Sequence, residues 1–312
     1  MRIVEKVDRT QRQSKPASVA VATFKKFSED RSSNLASMIA FWGIFSIFPL
    51  FMVLVTCLGF FLSSSDRQSV LGHVAKMLPL LDPSSVSGLS GSWWVLVLGL
   101  LTGLWSGIGV VKTAQFAFDS VWEVPYHERP GTVQQTLRSL WVVGTIGLGL
   151  VLSTFISGFV VSSANGVSLG ALGRVGGYVL AAALDVGIFL AAFRILSTRA
   201  ESMRDVLPGA LLSGVAFFIL QQLSALIISH YLQKAQSTYG HFATIITILW
   251  WFYLQAQITL LGAQLNVVLK EGLFPRSLVD APQTPADHRV LEAYAAERAY
   301  HPGQTVTTRF EK

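Results

Sequence analysis

Long runs of apolar residues, each close to the length that crosses a lipid bilayer, constrain this chain more than any other feature of its sequence. A hydrocarbon core of about 30 Å needs about 20 residues of α-helix at a rise of about 1.5 Å per residue. Six stretches reach that length, with at most one formal charge in the interior of each. They are Leu35 to Leu62, Trp93 to Val111, Leu140 to Ser162, Gly176 to Leu196, Val206 to Ser229 and Phe242 to Leu269.

These stretches are apolar on every helical face, whereas strands of a membrane barrel alternate in polarity over about 10 residues. The chain is 51% hydrophobic and 13% charged, which is typical of a membrane protein. The predicted fold class is therefore all-α, a polytopic bundle of six transmembrane helices. We expect a cytoplasmic segment over residues 1–34, the six-helix domain over 35–270, and a cytoplasmic, largely disordered tail over 271–312.

The positions of lysine and arginine predict the orientation. The N-terminal segment, the second and fourth connections and the tail carry 20 of the 24 basic residues, and the other connections carry four. Cytoplasmic loops hold the excess of basic residues in membrane proteins, so both termini are expected on the inner side of a bacterial plasma membrane. The basic residues are spread over four segments without a base-reading motif, so nucleic acid is not an expected partner.

The segment before the first span predicts a helix lying on the anionic cytoplasmic leaflet. Its apolar residues recur at helical spacing, with Lys25 and Lys26 on other faces. They are Ala17, Ala20, Val21, Phe24 and Phe27. The tail is polar and contains several prolines, so we expect it to be mostly disordered, with a possible short helix around Arg289 to Arg298.

Several short motifs carry a resemblance to a known family. They are Ser37-Met-Ile-Ala-Phe-Trp-Gly-Ile-Phe-Ser-Ile-Phe-Pro49-Leu in the first span, Ala117-Phe-Asp-Ser-Val-Trp122-Glu-Val-Pro, Arg204-Asp-Val-Leu-Pro208-Gly-Ala-Leu, Tyr239-Gly240, Leu249-Trp250-Trp-Phe-Tyr253 and Leu261-Gly-Ala-Gln-Leu-Asn266. Together they resemble the signatures of the YihY/virulence factor BrkB family of envelope membrane proteins, over about residues 20 to 272. Family members more often show Glu where Gln264 stands, and Trp where Met203 stands.

The resemblance implies a role in the bacterial cell envelope, with lipid or solute transport suspected. Some members of the family have also been labelled as ribonucleases, and the residues here argue against that activity. Metal-dependent hydrolysis at a two-metal site needs clustered ligands for ions about 3.5–4 Å apart, and the six histidines are scattered along the chain. No nucleotide-binding loop, zinc spacing or nucleophile elbow occurs either. We therefore expect no enzymatic activity, cofactor or metal.

Asp185 is the only acid inside a predicted span, and burying a charge there costs at least about 2.5–3.5 kcal/mol. The small residues Gly177 and Ala181 precede it at intervals of four, so we expect this face to contact another helix. A shared intramembrane polar layer is predicted, formed with Asp185 by Gln221, Gln222, Tyr253 and Gln255. This layer is the candidate transport site, and the alternative is a structural acid that joins two helices.

Three further residues are candidates for narrower roles. Pro49 removes a backbone hydrogen bond inside the first span, which predicts a kink that acts either as a hinge or only in packing. Lys112 and Arg138 lie at cytoplasmic helix ends, where they either bind lipid headgroups or simply complement the helix dipole.

Two functions follow as hypotheses. The first is an envelope-maintenance protein of the inner membrane that moves a lipid or amphiphilic solute, with membrane lipids as partners. The alternative is a non-transporting scaffold that recruits envelope partners through its cytoplasmic tail. A polar or lipid-open pocket that reaches Asp185 would favour transport over scaffolding.

Overall fold

The protein is described by a computed structural model over residues 8–61, 92–144, 170–199, 201–239, 242–279 and 283–310. Those residues form helices and no strand, which confirms the predicted all-α class. The helices are α1 (Lys15–Glu29), α2 (Ser32–Phe61), α3 (Trp93–Val121), α4 (132–144), α5 (Gly170–Leu196), α6 (Met203–Tyr239), α7 (Phe242–Lys270) and α8 (Pro285–Glu297).

Four segments of the described chain are long and apolar enough to cross a membrane. They are Trp93–Val121, Gly176–Leu196, Met203–Leu223 and Ile245–Lys270, and Ser32–Ile47 forms a shorter apolar stretch of α2. These four segments indicate a multi-pass membrane protein. Most of the predicted span Leu140 to Ser162 lies outside the described residues, so the count of six spans stays a prediction.

The chain divides into two compact units, and each is described by itself. Unit 1 comprises Met1–Ala36, Ala114–Leu220 and Gln257–Lys312, whereas unit 2 comprises Ser37–Thr113 and Gln221–Ala256. Helices α2, α3, α6 and α7 each contribute to both units, because the boundaries fall within these helices.

Close helix contacts in unit 1 depend on glycine. A Cβ atom added to Gly209 would overlap the carbonyl oxygen of Gly262 and lie 2.5 Å from the side-chain amide nitrogen of Asn266. The backbone N–H of Gly209 donates to Asn266 Oδ1 at 2.6 Å. Gly214 contacts the backbone of Val186 in the same way. Small residues let helix backbones approach this closely in membranes, so α6 is held against both α5 and α7.

Aromatic residues fill the corresponding contacts in unit 2. The ring of Trp42 occupies the space beside Gly109 and meets Trp105 edge to face at a centroid distance of 5.4 Å. Gly43 leaves room for the ring of Phe252, at 3.2 Å from an added Cβ. In these two contacts a glycine leaves room for a large ring, whereas Gly99 faces Val53 in the same unit.

The described part of the tail contains helix α8, which overlaps the short helix predicted around Arg289 to Arg298, and buried contacts hold it where a mostly disordered tail is predicted. Helix α8 begins with a capping box, in which the Thr284 side chain and the Asp287 backbone N–H pair while Asp287 accepts from the Thr284 backbone N–H. Arg276 is buried and donates to Asp287 at 2.6 Å. Local capping and buried ion pairs hold this polar sequence in one conformation, which its low hydrophobicity does not indicate.

Candidate functional site: a buried polar cluster at the helix ends

Four segments far apart in sequence meet within unit 1. Helix α1, the turn after α3, the last turns of α7 and helix α8 each contribute polar side chains to one buried group. We call this group the polar cluster, and it consists of Lys26, Asp30, Glu123, Gln264 and Tyr294. It lies where the apolar helix α2 begins and where the apolar helix α3 ends.

Lys26 is the centre of the polar cluster and has no solvent exposure. Its ammonium group donates to Asp30 Oδ2 at 2.7 Å and to the carbonyl oxygen of Val121 at 3.1 Å, and it forms an ion pair with Glu123. The Tyr294 ring lies 5.6 Å from the same nitrogen. A buried ammonium is tolerated only when its donors are satisfied, and here three oxygens accept from it.

Asp30 joins the N-terminal helix to the end of the chain. It accepts from Gln264 Nε2 at 2.6 Å and from the Tyr294 hydroxyl at 2.5 Å. Gln264 also donates to Ser32 Oγ at 3.0 Å, so it fixes the start of α2. An amide at this position supplies a proton donor to a buried carboxylate, which a carboxylate side chain would not do unless protonated.

The electrostatics follow from burial. Desolvation raises the pKa of Glu123 to about 7, more than the neighbouring Lys26 lowers it. Burial alone would lower the pKa of Lys26, but the charges of Glu123 and Asp30 outweigh it and raise that pKa. Burial and the Asp30 charge both raise the pKa of Tyr294, which keeps its hydroxyl protonated. The lysine is therefore a permanent cation, and Glu123 is the group that titrates near neutral pH.

Further ion pairs tie the tail to this end of unit 1. Arg129 binds Glu297 at 2.6 Å, and Arg276 binds Glu29 at 2.9 Å as well as Asp287. Lys270 pairs with Glu201 before α6. These contacts connect the same four basic segments that the charge distribution assigns to one side of the membrane.

A cavity of about 440 Å³ lies beside the polar cluster. Its lining mixes charges of both signs with apolar residues from the ends of α2 and α3. The lining residues are Glu29, Asp30, Arg31, Leu35, Phe116, Ser120, Tyr294, Glu297 and Arg298. A second groove of about 480 Å³ runs along the outer face of α1, beside Ala20, Phe24 and Leu278. Neither is lined by Asp185.

Three of the motifs that carry the family resemblance lie in unit 1. Asp119 accepts from the backbone N–H and the hydroxyl of Thr198 at 3.0 and 2.9 Å, and Trp122 is buried. The Pro-Gly motif of α6 meets the Leu-Gly-Ala-Gln-Leu-Asn motif of α7 through Gly209 and Asn266. Their shared task is to hold helix ends together.

The predicted polar layer is divided between the two units. Asp185 is half-buried in unit 1 and pairs with no described residue of that unit. Gln221, Gln222, Tyr253 and Gln255 belong to unit 2, where the two glutamines at 221 and 222 are exposed and the other two residues are half-buried. The layer stays a prediction.

The other three predicted site residues have defined surroundings. Pro49 is buried in α2 and lies 3.5 Å from a Cβ added to Gly103. Lys112 is half-buried and lies nine residues before the end of α3 at Val121, so it is not at the helix end where the sequence predicts it. Arg138 donates to the carbonyl oxygens of Ile195 and Ser197 at the end of α5, which is the helix-end role that its position allows. Its contact with lipid headgroups, like the hinge at Pro49, stays a prediction.

Sequence reasoning missed the polar cluster. The spacing of Lys26 and Asp30 by four residues was a signal, since it places both on one helix face. Amphipathic periodicity instead suggested that Lys26 faces solvent or lipid headgroups. The structure buries Lys26 with Ser18 and Ala22, and leaves Phe24 62% exposed.

Comparisons with known proteins agree with the motifs. The sequence pattern of the virulence factor BrkB family matches residues 23–286. The chain is 24% identical over 267 residues to the ribonuclease-like protein YfkH of Bacillus subtilis, covering 79% of this chain and 93% of that protein. It is 25% identical over 292 residues to a UPF0761 membrane protein of Methylibium petroleiphilum, covering 88% and 68%.

A UPF0761 membrane protein of Pseudoalteromonas atlantica is 25% identical over 265 residues, covering 80% of this chain and 83% of that protein. No solved structure matches the chain. Both labels that the resemblance implies, an envelope membrane protein and a ribonuclease-like name, occur among these relatives. With a family match that extends from α1 into α8 and motifs that interlock in the fold, this chain belongs to the virulence factor BrkB family of membrane proteins.

Proposed function

We propose that this protein maintains the bacterial envelope from the inner membrane by moving a lipid or amphiphilic solute. The observation that carries the proposal is the cavity of about 440 Å³, in which charged residues lie against the ends of apolar helices. Leu35 and Phe116 supply an apolar wall, while Asp30 and Glu297 supply a charged one. A site with both walls suits a molecule that is itself half polar and half apolar.

The proposed topology has six spans with both termini in the cytoplasm. Its support is the meeting of the four basic segments at one end of unit 1, since segments that contact one another must lie on one side of a bilayer. Helix α1 lies on the inner leaflet in this proposal. Its polar residues Ser18, Thr23 and Lys26 are buried against the protein, and Phe24 is exposed.

The proposal includes no chemistry on the cargo. Membrane lipids are the partners, and neither nucleic acid nor a cofactor takes part. The ribonuclease-like name belongs to the relative YfkH, and the scattered histidines of this chain give no reason to transfer that activity. Asp185 lines neither of the two cavities, so its part in cargo movement is a separate prediction, which Asp185→Asn tests.

The alternative is a scaffold that binds envelope partners without moving a solute. The observation that favours it is the ordered tail, where α8 is held against α1 and presents exposed apolar side chains. Leu291 is 41% exposed and Tyr300 is 68% exposed. A surface of this kind suits a protein partner, and it remains compatible with the cavity beside it.

Reconstitution into liposomes with labelled phospholipid tests the proposal. We expect leaflet exchange faster than in protein-free vesicles, and a loss of exchange in Asp185→Asn with unchanged abundance. Gly187→Ala, on the same helix and with no neighbour within 4 Å of the added Cβ, is the control and should exchange like the wild type. Exchange at the rate of empty vesicles would contradict transport and leave the scaffold.

A further inference from the structure

Two arginines of the cavity differ from every other cation around it. Lys26, Arg129 and Arg276 are each paired with a carboxylate. Arg31 and Arg298 also line the cavity and are exposed, but neither side chain forms an ion pair or hydrogen bond with the described part of the chain. Their guanidinium donors are free for a ligand.

The backbone holds Arg31 in a defined place. It adopts a positive φ of 51°, a left-handed conformation that is strained for a residue with a side chain. Its carbonyl oxygen accepts from the N–H groups of Asn34 at 2.8 Å and Leu35 at 3.3 Å, so it caps the start of α2. The strained turn therefore fixes the direction in which the chain leaves α1, and Arg31 with it.

The acids of the cavity are each paired with a cation. Asp30 and Glu123 share Lys26, Glu29 and Asp287 share Arg276 and Lys25, and Glu297 binds Arg129, so five carboxylates face four cations. Arg31 and Arg298 bring the cations to six, which leaves one net positive charge at the mouth of the cavity. A guanidinium group presents parallel N–H donors that match two oxygens of a phosphate. The free pair therefore favours a phosphate ester over an uncharged or cationic ligand.

The depth of the site points to a membrane-borne source for that phosphate. Leu35 lies in the first turn of α2 and Phe116 in the last turns of α3, both of which are apolar helices. Helix ends of this kind lie at the level of lipid headgroups. A volume of about 440 Å³ also falls in the range of small-molecule pockets, about 300–1,000 Å³.

We propose that Arg31 and Arg298 bind the phosphate group of an anionic amphiphile whose headgroup enters this cavity. The apolar part of the ligand then continues past Leu35 and Phe116 toward the bilayer. This inference rests on the proposed function and narrows it, because it names the chemical class of the cargo or regulatory lipid.

Binding of short-chain phosphatidylglycerol to the purified full-length protein, followed by native mass spectrometry, tests the site. The double variant Arg31→Gln/Arg298→Gln should bind at least about tenfold more weakly, since each charged hydrogen bond contributes about that factor. The control Arg9→Gln/Arg309→Gln removes the same charge from two exposed arginines outside the cavity and should bind like the wild type. Arg31→Lys/Arg298→Lys should bind with intermediate affinity, because charge remains without the paired donors.

Glycerol 3-phosphate distinguishes a lipid from a free phosphate ester. It should compete weakly, because it lacks the apolar part of the ligand. Competition at the affinity of the lipid would overturn the amphiphile and assign the site to a soluble phosphate. Equal lipid binding by the wild type and Arg31→Gln/Arg298→Gln would overturn the site itself.

The liposome assay separates this inference from the proposed function. Leaflet exchange without arginine-dependent binding would reject the site and keep transport. Arginine-dependent binding without exchange would support the site and reject transport. Thermal unfolding of the double variant checks its fold, which should be retained because both side chains are exposed.

Discussion

The polar cluster and the glycine contacts of the helices hold the same protein together by different physics. In the polar cluster, Lys26 is fully buried and pairs with Asp30 at the end of its own helix and with Glu123 after α3. In the contact between α6 and α7, Gly209 has no side chain at all and the helix backbones touch. Helices in lipid gain little from hydrophobic burial against one another, so close packing joins them there. In the described part of the chain, ion pairs join the segments at the helix ends, where each buried charge requires a partner.

Removal of the buried cation should cause the largest loss of stability. Lys26→Met leaves the carboxylates of Asp30 and Glu123 without their partner, and we expect a loss of about 3–5 kcal/mol in the free energy of unfolding. Thermal unfolding in detergent measures it. Lys15→Met, an exposed lysine on the same helix, is the matched control and should change stability by less than about 0.5 kcal/mol. Similar losses in both variants would show that the polar cluster contributes no special stability.

The pH dependence of stability should come from the polar cluster and not from the glycine contacts. The pKa of Glu123 is about 7 in the folded protein and 4.5 in the unfolded chain, so the folded state binds more protons between these values. Stability should therefore fall as pH rises from about 5 to about 8, by on the order of 3 kcal/mol.

Glu123→Gln removes this titration while keeping the shape of the side chain. Comparison of unfolding curves for the wild type and Glu123→Gln over that pH range isolates the contribution of this one group. Parallel curves would mean that Glu123 stays ionised throughout, held by Lys26.

Addition of one methyl group should disturb the glycine contacts. Gly209→Ala places a Cβ against the Gly262 carbonyl oxygen, so the helices must separate, at a cost of about 1–3 kcal/mol. Gly187→Ala has open space and should be neutral or slightly stabilising, by up to about 1 kcal/mol. The difference in unfolding temperature between Gly209→Ala and Gly187→Ala should be the same at pH 5 and at pH 8, because the contact involves no charge. A pH-dependent difference would link this contact to the polar cluster.

Salt should have the smallest effect. Raising ionic strength from 0.1 to 1 M shortens the screening length from about 10 to about 3 Å, which weakens exposed ion pairs and leaves buried ones nearly unchanged. We expect the unfolding free energy of the wild type to change by less than about 0.5 kcal/mol. A larger loss would mean that water reaches Lys26 and that the ion pairs at this end are open to solvent.

The membrane class and the helical fold could be predicted from the sequence, because both depend on local apolar length. The ends of α2 and α7 also agree closely with the apolar stretches, whereas α3 continues ten residues past the predicted end at Val111, to Val121. The family was equally readable, since motifs such as Pro208-Gly209 and Gln264 to Asn266 are short and specific. The structure adds that these motifs contact one another, which no single stretch of sequence indicates.

The polar cluster could not be predicted, because its partners are distant along the chain. Lys26 looked like the polar side of an amphipathic helix, and only the fold supplies Glu123 as its partner. The tail looked disordered because its composition is polar, whereas its order comes from specific pairs such as Arg276 with Asp287. Asp185 stands out in the sequence because it is the lone acid in a predicted span. The energetic cost of burying its charge indicates that it needs a partner, but it does not identify that partner.

The polar cluster also has a consequence for biogenesis. Lys26 and Glu123 emerge early from the ribosome, whereas Gln264 and Tyr294 are among the last parts of the chain to be made. At about 5–20 residues per second, Asp30 must wait roughly 10–30 s after Glu123 for the hydroxyl of Tyr294. A chain interrupted before α8 therefore lacks the hydroxyl that donates to Asp30, and it also lacks Glu297, so Arg129 is left without its carboxylate partner in unfinished copies.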